Sequence, residues 1–404
     1  FFINIFSQMK PLPANCPIWL EQKIFDKGGK ISFYEFMNIV LNDPIHGYYG
    51  SGKAKIGLKG DFVTSPSLSE DFSYLLSKQI EKWVLQILDK INLNKNLTII
   101  EFGAGDGSLL RGIIKYFLNN NKVTLQRISF KIVEINEGMR VKQINLLKDY
   151  LEKEIDIKWI SFKEFEKNNF DGVVLAHEVL DAFPVERIQY NKGIVYQQIV
   201  ELNQDKKLFL NKKPLSEKLI KRINLLKDKL KVCIPPSNAP DEWTNELHVD
   251  SYLWLKNIYE RLNNGLLLVI DYSLEFKRFY SSNKFAGNIV SYNNQKVTND
   301  ILKNPGNSDL TTHLCNEILV LDAQMAGFKF NGMVKQGEAL LSLGLAEMLF
   351  DIQSKYKNNL SKALLKREAL LRLVDPICLG DFKWFIFQKT IKKDIIFKSE
   401  ILAN

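Results

Sequence analysis

Leu97-Thr-Ile-Ile-Glu101-Phe102-Gly103-Ala104-Gly105-Asp106-Gly107 is the stretch on which the fold turns. A short run of apolar and β-branched residues enters three closely spaced glycines, and the apolar spacing of a helix follows at once over residues 109–118. Strand, turn and helix in that order open an α/β sheet. The alternation continues with strands expected at 128–135, 157–160 and 172–176 and a helix near 138–151. These runs are apolar throughout, as strands buried on both faces of a parallel sheet must be. The next comparable strand comes only at 266–271, so an insertion must lie before it. That insertion holds an expected hairpin at 188–209, a Lys-rich helix, a Pro235-Pro236 turn and a helix around 251–262. Strands at 327–334 and 382–389, with two helices between 338 and 373, close the chain. Two amphipathic helices, 31–41 and 69–88, precede the first strand. The expected organisation is an N-terminal helical segment (1–92), an α/β core (93–186 and 264–404) and an inserted α+β subdomain (187–263).

The glycines stand where a strand ends and a helix begins, the edge at which open α/β sheets take ligands. A pyrophosphate fingerprint reads G-x-G-x-x-G, whereas this loop reads G-x-G-x-G, with Ser108 where the third small residue would stand. Glu101 and Asp106 flank the glycines, and carboxylates so placed would repel a diphosphate strongly at low effective dielectric. They suit a cation. S-adenosylmethionine carries an ammonium and a sulfonium but no phosphate, and its carboxylate can use backbone N–H groups at a helix N-terminus. Gly103, Ala104, Gly105 and Gly107 would let the backbone approach it. An acid ending the next strand would accept both ribose hydroxyls, and Glu134 stands there.

Composition agrees with an ordinary globular protein: of 404 residues, 46% are hydrophobic and 25% charged, with 22 glycines and 12 prolines. The longest apolar runs, Phe1 to Phe6 and Gly265 to Ile270, fall well short of the roughly 18 residues of a membrane-spanning helix. The net charge of +9 is concentrated between Asp205 and Lys231, where ten basic residues face three acidic ones. Such a stretch is either a solvated helix face or a groove for RNA or an acidic protein, and with Phe209 as its one aromatic it has no platform for stacking bases, so nucleic acid is not the expected partner. Cys16, Cys233, Cys315 and Cys378 form no C-x-x-C pair and the four histidines no H-x-x-x-H spacing, so neither a metal site nor a disulfide framework is expected. No Arg precedes Arg111, so an Arg-rich import presequence is not in view. The expectation is a cytoplasmic protein, with the mitochondrial matrix as the alternative.

Further motifs stand in order along the chain: Asp43-Pro-Ile-His-Gly-Tyr-Tyr49, Gly60-Asp-Phe-Val-Thr64-Ser-Pro66, His177-Glu178-Val-Leu-Asp181-Ala-Phe-Pro-Val185, Asp271-Tyr272, Asp309-Leu-Thr-Thr-His313 and Gln336-Gly337. With residues 101–107 they make the chain resemble the MidA-like family of class I methyltransferases over most of its length, with departures mainly in the Lys-rich insertion. The resemblance implies a Rossmann-like sheet of seven strands, one of them antiparallel, with S-adenosylmethionine as cofactor. It also implies a lid built from the insertion and the N-terminal helices. Mitochondrial members methylate an arginine of a respiratory complex I subunit during assembly, so protein-arginine methylation and a complex I-type core subunit as partner are implied too. On the residues alone, Thr64 and Pro66 belong either to a cover over the methionine end of the cofactor or to an ordinary loop. Residues 43–49 are equally readable as a helix stop whose rings fill core.

The strand at 172–176 ends directly before His177 and Glu178, at the same edge as the glycine loop. If a helical turn begins there, Glu178 and Asp181 share one face, and Pro184 soon ends the turn. A guanidinium stays protonated at physiological pH. Two carboxylates can hold its planar fork and leave one nitrogen aligned for attack. Glu178 is the expected principal clamp and Asp181 its partner, with capping as the other reading of Asp181. His177 is expected to hydrogen-bond cofactor or backbone. Asp271, at the end of its strand, would hold substrate or cap the next turn. An RNA methyltransferase using the basic insertion and a non-catalytic assembly factor remain the competing functions, and the oligomeric state is open, a homodimer included.

Overall fold

A computed structural model describes residues 12–91, 96–391 and 397–402, so the apolar opening Phe1 to Phe6 lies outside the described residues. Seven strands build the central sheet: β1 (Leu97–Phe102), β2 (Ile128–Val133), β3 (Ile157–Ile160), β4 (Phe170–His177), β5 (Leu262–Asp271), β6 (Lys329–Lys335) and β7 (Lys383–Lys389). Their spatial order is β6-β7-β5-β4-β1-β2-β3. β1 to β5 run parallel, and β7 is antiparallel to both its neighbours, β5 and β6. The strand order reverses between β1 and β4, which opens a crevice at their carboxyl ends.

Period-two alternation divides the apolar strands between two cores. Ile99, Val173, Leu175, Leu266 and Leu268 pack with helices Glu70–Ile91 and Ser108–Asn120, whereas Ile100, Phe102, Val174, Leu267 and Val269 pack with Ser251–Arg261 and Asn316–Ala326. Burying a Leu, Ile or Val side chain contributes about 1.5–3 kcal/mol. That gain explains why two helices depart from the expected partition. Glu70–Ile91 and Ser251–Arg261, read from sequence as parts of the N-terminal segment and of the insertion, both cover the central sheet.

The insertion's strands form a second, antiparallel sheet. The expected hairpin extends to a three-strand meander, Val185–Asn191, Ile194–Leu202 and Lys207–Pro214, flanked by Thr244–His248. Two short N-terminal strands join it: Ala14–Asn15 pairs with Lys207–Pro214, and Lys30–Ser32 with Ile194–Leu202. Helix Phe33–Asn42, started by a Ser32–Glu35 capping box, buries Phe33, Phe36 and Met37 in a cluster shared with Val185, Val200, Ile289 and Leu310. The Lys-rich helix, Glu217–Leu230, turns Leu219 and Leu226 inward. Its Arg222 forms a bidentate pair with Asp322 at 2.7 Å to each oxygen, tying the insertion to the helix Asn316–Ala326. Deeper inside, Arg187 and Glu246 form a buried ion pair at 3.0 Å, and Glu246 also accepts from the Asn288 N–H at 2.6 Å.

A third small sheet, Val290–Asn293, Lys296–Thr298 and Asp309–Thr311, was not foreseen; its strands have three or four residues each. The last third holds three helices rather than two, Gln336–Ser342, Leu345–Lys355 and Leu360–Val374, because Gly344 breaks the first run with φ of 101°. Among the described residues no helix is long and apolar enough to cross a membrane.

Candidate active site

The crevice above β1 and β4 is the mouth of a cavity of about 1480 Å³. β1 delivers Glu101 to its wall, and the chain then turns through Gly103 and Gly105 at φ of 56° and 54°, the left-handed region that side chains avoid. Asp106 accepts from the Ser108 N–H at 3.0 Å, which satisfies the first free donor of helix Ser108–Asn120. Glu101 is 2% exposed, and its Oε2 has no hydrogen-bond partner. Burial, reinforced by the charges of Asp106 and Glu134, pushes its carboxyl up to about 8.

Glu134 follows β2 directly. Its Oε1 accepts from the Asn136 N–H at 3.0 Å and its Oε2 from Gln143 Nε2 at 2.8 Å. Gln143 is fully buried, and the same Nε2 also donates to the Gly105 carbonyl at 3.0 Å, while Trp159 Nε1 donates to its Oε1 at 3.0 Å. This one amide locks the strand-end acid to the glycine loop. Sequence reading missed it, although a lone Gln between Met139 and Leu147 on a core-facing helical stripe was the available signal.

At the other end of the crevice, β4 delivers His177 and Glu178. Glu178 does not open a helical turn as expected. It stands in the left-handed region at φ of 52°, its N–H donates to the Ile270 carbonyl at 2.9 Å, and the short 3₁₀ turn Leu180–Ala182 starts two residues later. A non-glycine residue held there costs about 1–3 kcal/mol, a strain that concentrates at functional sites. The Ser65 N–H donates to its carboxyl, and Thr64 caps the turn that carries Ser65. Glu178 Oε1 is buried without a hydrogen-bond partner and stands 3.6 Å from His177 Nε2, itself unpartnered. Burial holds the His177 imidazole neutral, down at about 3, and raises the Glu178 carboxyl, with the Asp181 charge adding to the rise.

Asp181 is fixed from one side: Tyr272 Oη and Thr311 Oγ1 each donate to its Oδ2 at 2.7 Å, which leaves Oδ1 buried and unpaired. Asp271 accepts from the N–H groups of Tyr272 at 2.9 Å and Asp181 at 3.2 Å, so it positions this turn. Asp309 receives the Tyr49 hydroxyl at 3.0 Å. Asp43, by contrast, caps the end of its helix, accepting from the N–H groups of Ile45 and His46.

Ten of the expected site residues, Thr64, Pro66, Glu101, Gly103, Ala104, Gly105, Glu134, His177, Glu178 and Asp181, face this one cavity. Gly107 does not. It caps helix Ser108–Asn120 at φ of 92° and packs towards Gln143, so its conformation serves the turn and not the cavity. The cavity's basic residues, Arg278, Lys284 and Arg372, all come from beyond β5, none from the glycine loop.

A seven-stranded sheet with one antiparallel strand, a glycine turn after β1 and an acid after β2 define a Rossmann-like class I methyltransferase. The family model of S-adenosyl-L-methionine-dependent methyltransferases matches residues 79–334, and the chain belongs to that family. It is 25% identical over 400 residues to the protein arginine methyltransferase NDUFAF7 homolog, mitochondrial, of Caenorhabditis elegans, covering 92% of this chain and 87% of the relative. To the human protein arginine methyltransferase NDUFAF7, mitochondrial, it is 25% identical over 391 residues, covering 88% and 80%. The crystal structure of a COG1565 superfamily member from Burkholderia thailandensis, bound to S-adenosyl-homocysteine, superposes with a TM-score of 0.80 at 23% identity, covering 96% and 94%.

The protein is thus a methyltransferase with S-adenosylmethionine as cofactor. Its residues fit that group: the left-handed glycines leave the backbone bare, and Glu101 Oε2 is a buried acceptor that an ammonium would complete. Gln143→Leu is expected to weaken S-adenosylhomocysteine binding about tenfold, since a lost buried hydrogen bond costs roughly 1–3 kcal/mol. Titration calorimetry reads this directly, and an unchanged affinity would remove Gln143 from the account.

Proposed function

We propose that this methyltransferase modifies the guanidinium of an arginine in a protein substrate. One observation carries the reading: Glu178 Oε1 and Asp181 Oδ1 are buried, unpaired acceptors on the wall that also bears the glycine loop. Unpaired buried acceptors are costly unless a ligand supplies donors, and a guanidinium brings five in a planar fork. The arginine methyltransferase names of the relatives support the same substrate class.

When bound, S-adenosylmethionine supplies an electrophilic methyl group. Glu101 would take its ammonium, the backbone of Gly103, Ala104 and Gly105 its methionine portion, and Glu134 its ribose hydroxyls. Thr64 and Pro66 would close over it, with neutral His177 hydrogen-bonding beside it. Glu178, the principal clamp, and Asp181, its partner, orient the guanidinium, draw positive charge towards the bound nitrogens and accept the proton that the methylated nitrogen sheds. Orientation is the larger contribution, worth about 7–11 kcal/mol for well-aligned reactants, against about 10²- to 10⁴-fold for proton transfer. The N-terminal segment and the insertion, joined in one sheet, would form the cover.

The RNA reading loses ground because no residue of the basic stretch 205–231 faces the cavity. The relatives' names state a mitochondrial location, which supports the mitochondrial alternative over the cytoplasmic location expected from sequence, and a complex I-type subunit is the first partner to test. A tritiated methyl donor incubated with the enzyme and native lysate is expected to label one protein band at an acid-stable arginine. Labelled RNA would favour the second function, and absence of label the assembly factor.

A further inference from the structure

Four carboxyl groups cluster at the substrate end of the cavity, three of them, Glu178, Asp181 and Asp309, in its wall and Asp271 behind it. Glu178 and Asp181 follow β4, Asp271 ends β5, and Asp309 begins a strand of the small third sheet. Asp181, Asp271 and Asp309 are under 10% exposed and the Glu178 side chain 12%, and none forms an ion pair with Lys or Arg among the described residues. Asp271 has its role in fixing the turn, and Glu178 and Asp181 are assigned above. Asp309 is left over. It faces the cavity, is 4% exposed, and is held by Tyr49 from the N-terminal segment.

We propose that Asp309, aimed by Tyr49, is a third substrate-binding carboxylate, and that the pocket admits its guanidinium in exchange for a proton from this group. The inference rests on the arginine reading and deepens it. Several carboxylates sharing a dry pocket cannot all ionise, so one or more stay protonated until a cation arrives. The groups around Asp309 are all acidic or phenolic: Asp181 and Glu178 from the turn after β4, Asp61 and Tyr48 from the N-terminal loops, Tyr272 after β5, and Tyr292 from the paired strand. Burial and the Asp181 charge push Asp309 up to about 8, while the Tyr49 hydroxyl pulls it down. In the empty pocket at neutral pH the group is therefore an acid. When the guanidinium enters, the Asp309 O–H bond breaks, the proton leaves to solvent, and the positive charge of the ligand replaces it. Affinity then rises with pH up to about 8 and levels off above it.

The test uses the full-length enzyme and, as substrate, the protein that wild-type enzyme labels in lysate. Asp309→Asn is expected to raise KM at least tenfold with kcat nearly unchanged. It should also lower the slope of log kcat/KM against pH below 8 by about one, with S-adenosylhomocysteine affinity intact. Tyr49→Phe is expected to move the break in that profile to higher pH, because a group that lowered the Asp309 pKa is gone. A wild-type KM and pH slope in Asp309→Asn would overturn the proposal while leaving arginine methylation standing, provided Glu178→Gln is inactive. If Asp309→Asn does not fold, an unmoved break in Tyr49→Phe overturns it equally. Absence of any arginine label with wild-type enzyme would sink both readings.

Discussion

Gly105→Val is expected to lower affinity for S-adenosylhomocysteine at least about 100-fold, and Gly103→Val to do the same. At φ of 54° and 56° both positions lie where a side chain clashes with its own backbone. The left-handed conformation costs roughly 1–2 kcal/mol for an ordinary residue and more for a β-branched one. Space adds less. A Cβ on Gly105 would stand 3.0 Å from Ile56 Cδ1, a flexible side-chain end, and one on Gly103 would stand 3.2 Å from Val179 Cγ2. The loop therefore escapes by flipping out of the left-handed region, and in doing so it withdraws the backbone groups from the cavity. A hundredfold loss corresponds to about 2.8 kcal/mol, so the roughly 1–2 kcal/mol of backbone strain supplies the larger part and the β-branch penalty with the tight Cβ contacts the remainder. The rest of the sheet should be untouched, with a thermal transition close to wild type. Calorimetry on the pure protein decides the matter, and tight binding by either valine variant would mean the cofactor lies elsewhere.

Glu178→Gln is expected to leave that affinity within about twofold of wild type and to lower kcat by about 10²- to 10⁴-fold. The amide keeps the shape of the acid, and its carbonyl can still accept from the Ser65 N–H. What disappears is the negative charge that the guanidinium would meet. Hydrogen bonds to a charged group contribute roughly 1.5–3 kcal/mol each. The loss extends beyond the bond, because an unclamped fork no longer presents one nitrogen in line. Since the carboxyl is raised well above its ordinary value in the empty pocket, the wild-type kcat should also fall as the medium is acidified, and the variant should lose the share of this dependence that Glu178 contributes. Single-turnover label transfer separates the outcomes: full activity in the variant would remove Glu178 from the chemistry.

The central sheet was legible because its strands are continuous apolar runs, and both sides of each run found a helical partner. The glycine loop and Glu134 were legible because their charge and spacing by themselves exclude a diphosphate. Less visible were contacts made across long separations. Gln143 acts through two acceptors 38 and 9 residues away, and Thr311 reaches Asp181 across 130. The conformation of Glu178 was misread because a left-handed acid has no sequence signature, unlike the glycines that advertise theirs. The small sheet around Asp309 was missed since strands of three residues give no periodicity to count. Partition of the chain failed for helices Glu70–Ile91 and Ser251–Arg261, whose apolar stripes fit either unit until the partner surface is known.

The two short strands near the start of the chain have a consequence for biogenesis. During synthesis, residues 14–32 leave the ribosome long before the segments they pair with, 194–214, have been made. The stripe of Phe33, Phe36 and Met37 meanwhile has only local partners such as Leu20, Ile24 and Tyr48, because Val185 and Val200 come more than 140 residues later and Leu310 later still. Such long waits expose sticky surface and favour misassembly. The opening segment therefore stays without its sheet partners until the middle third of the chain has emerged.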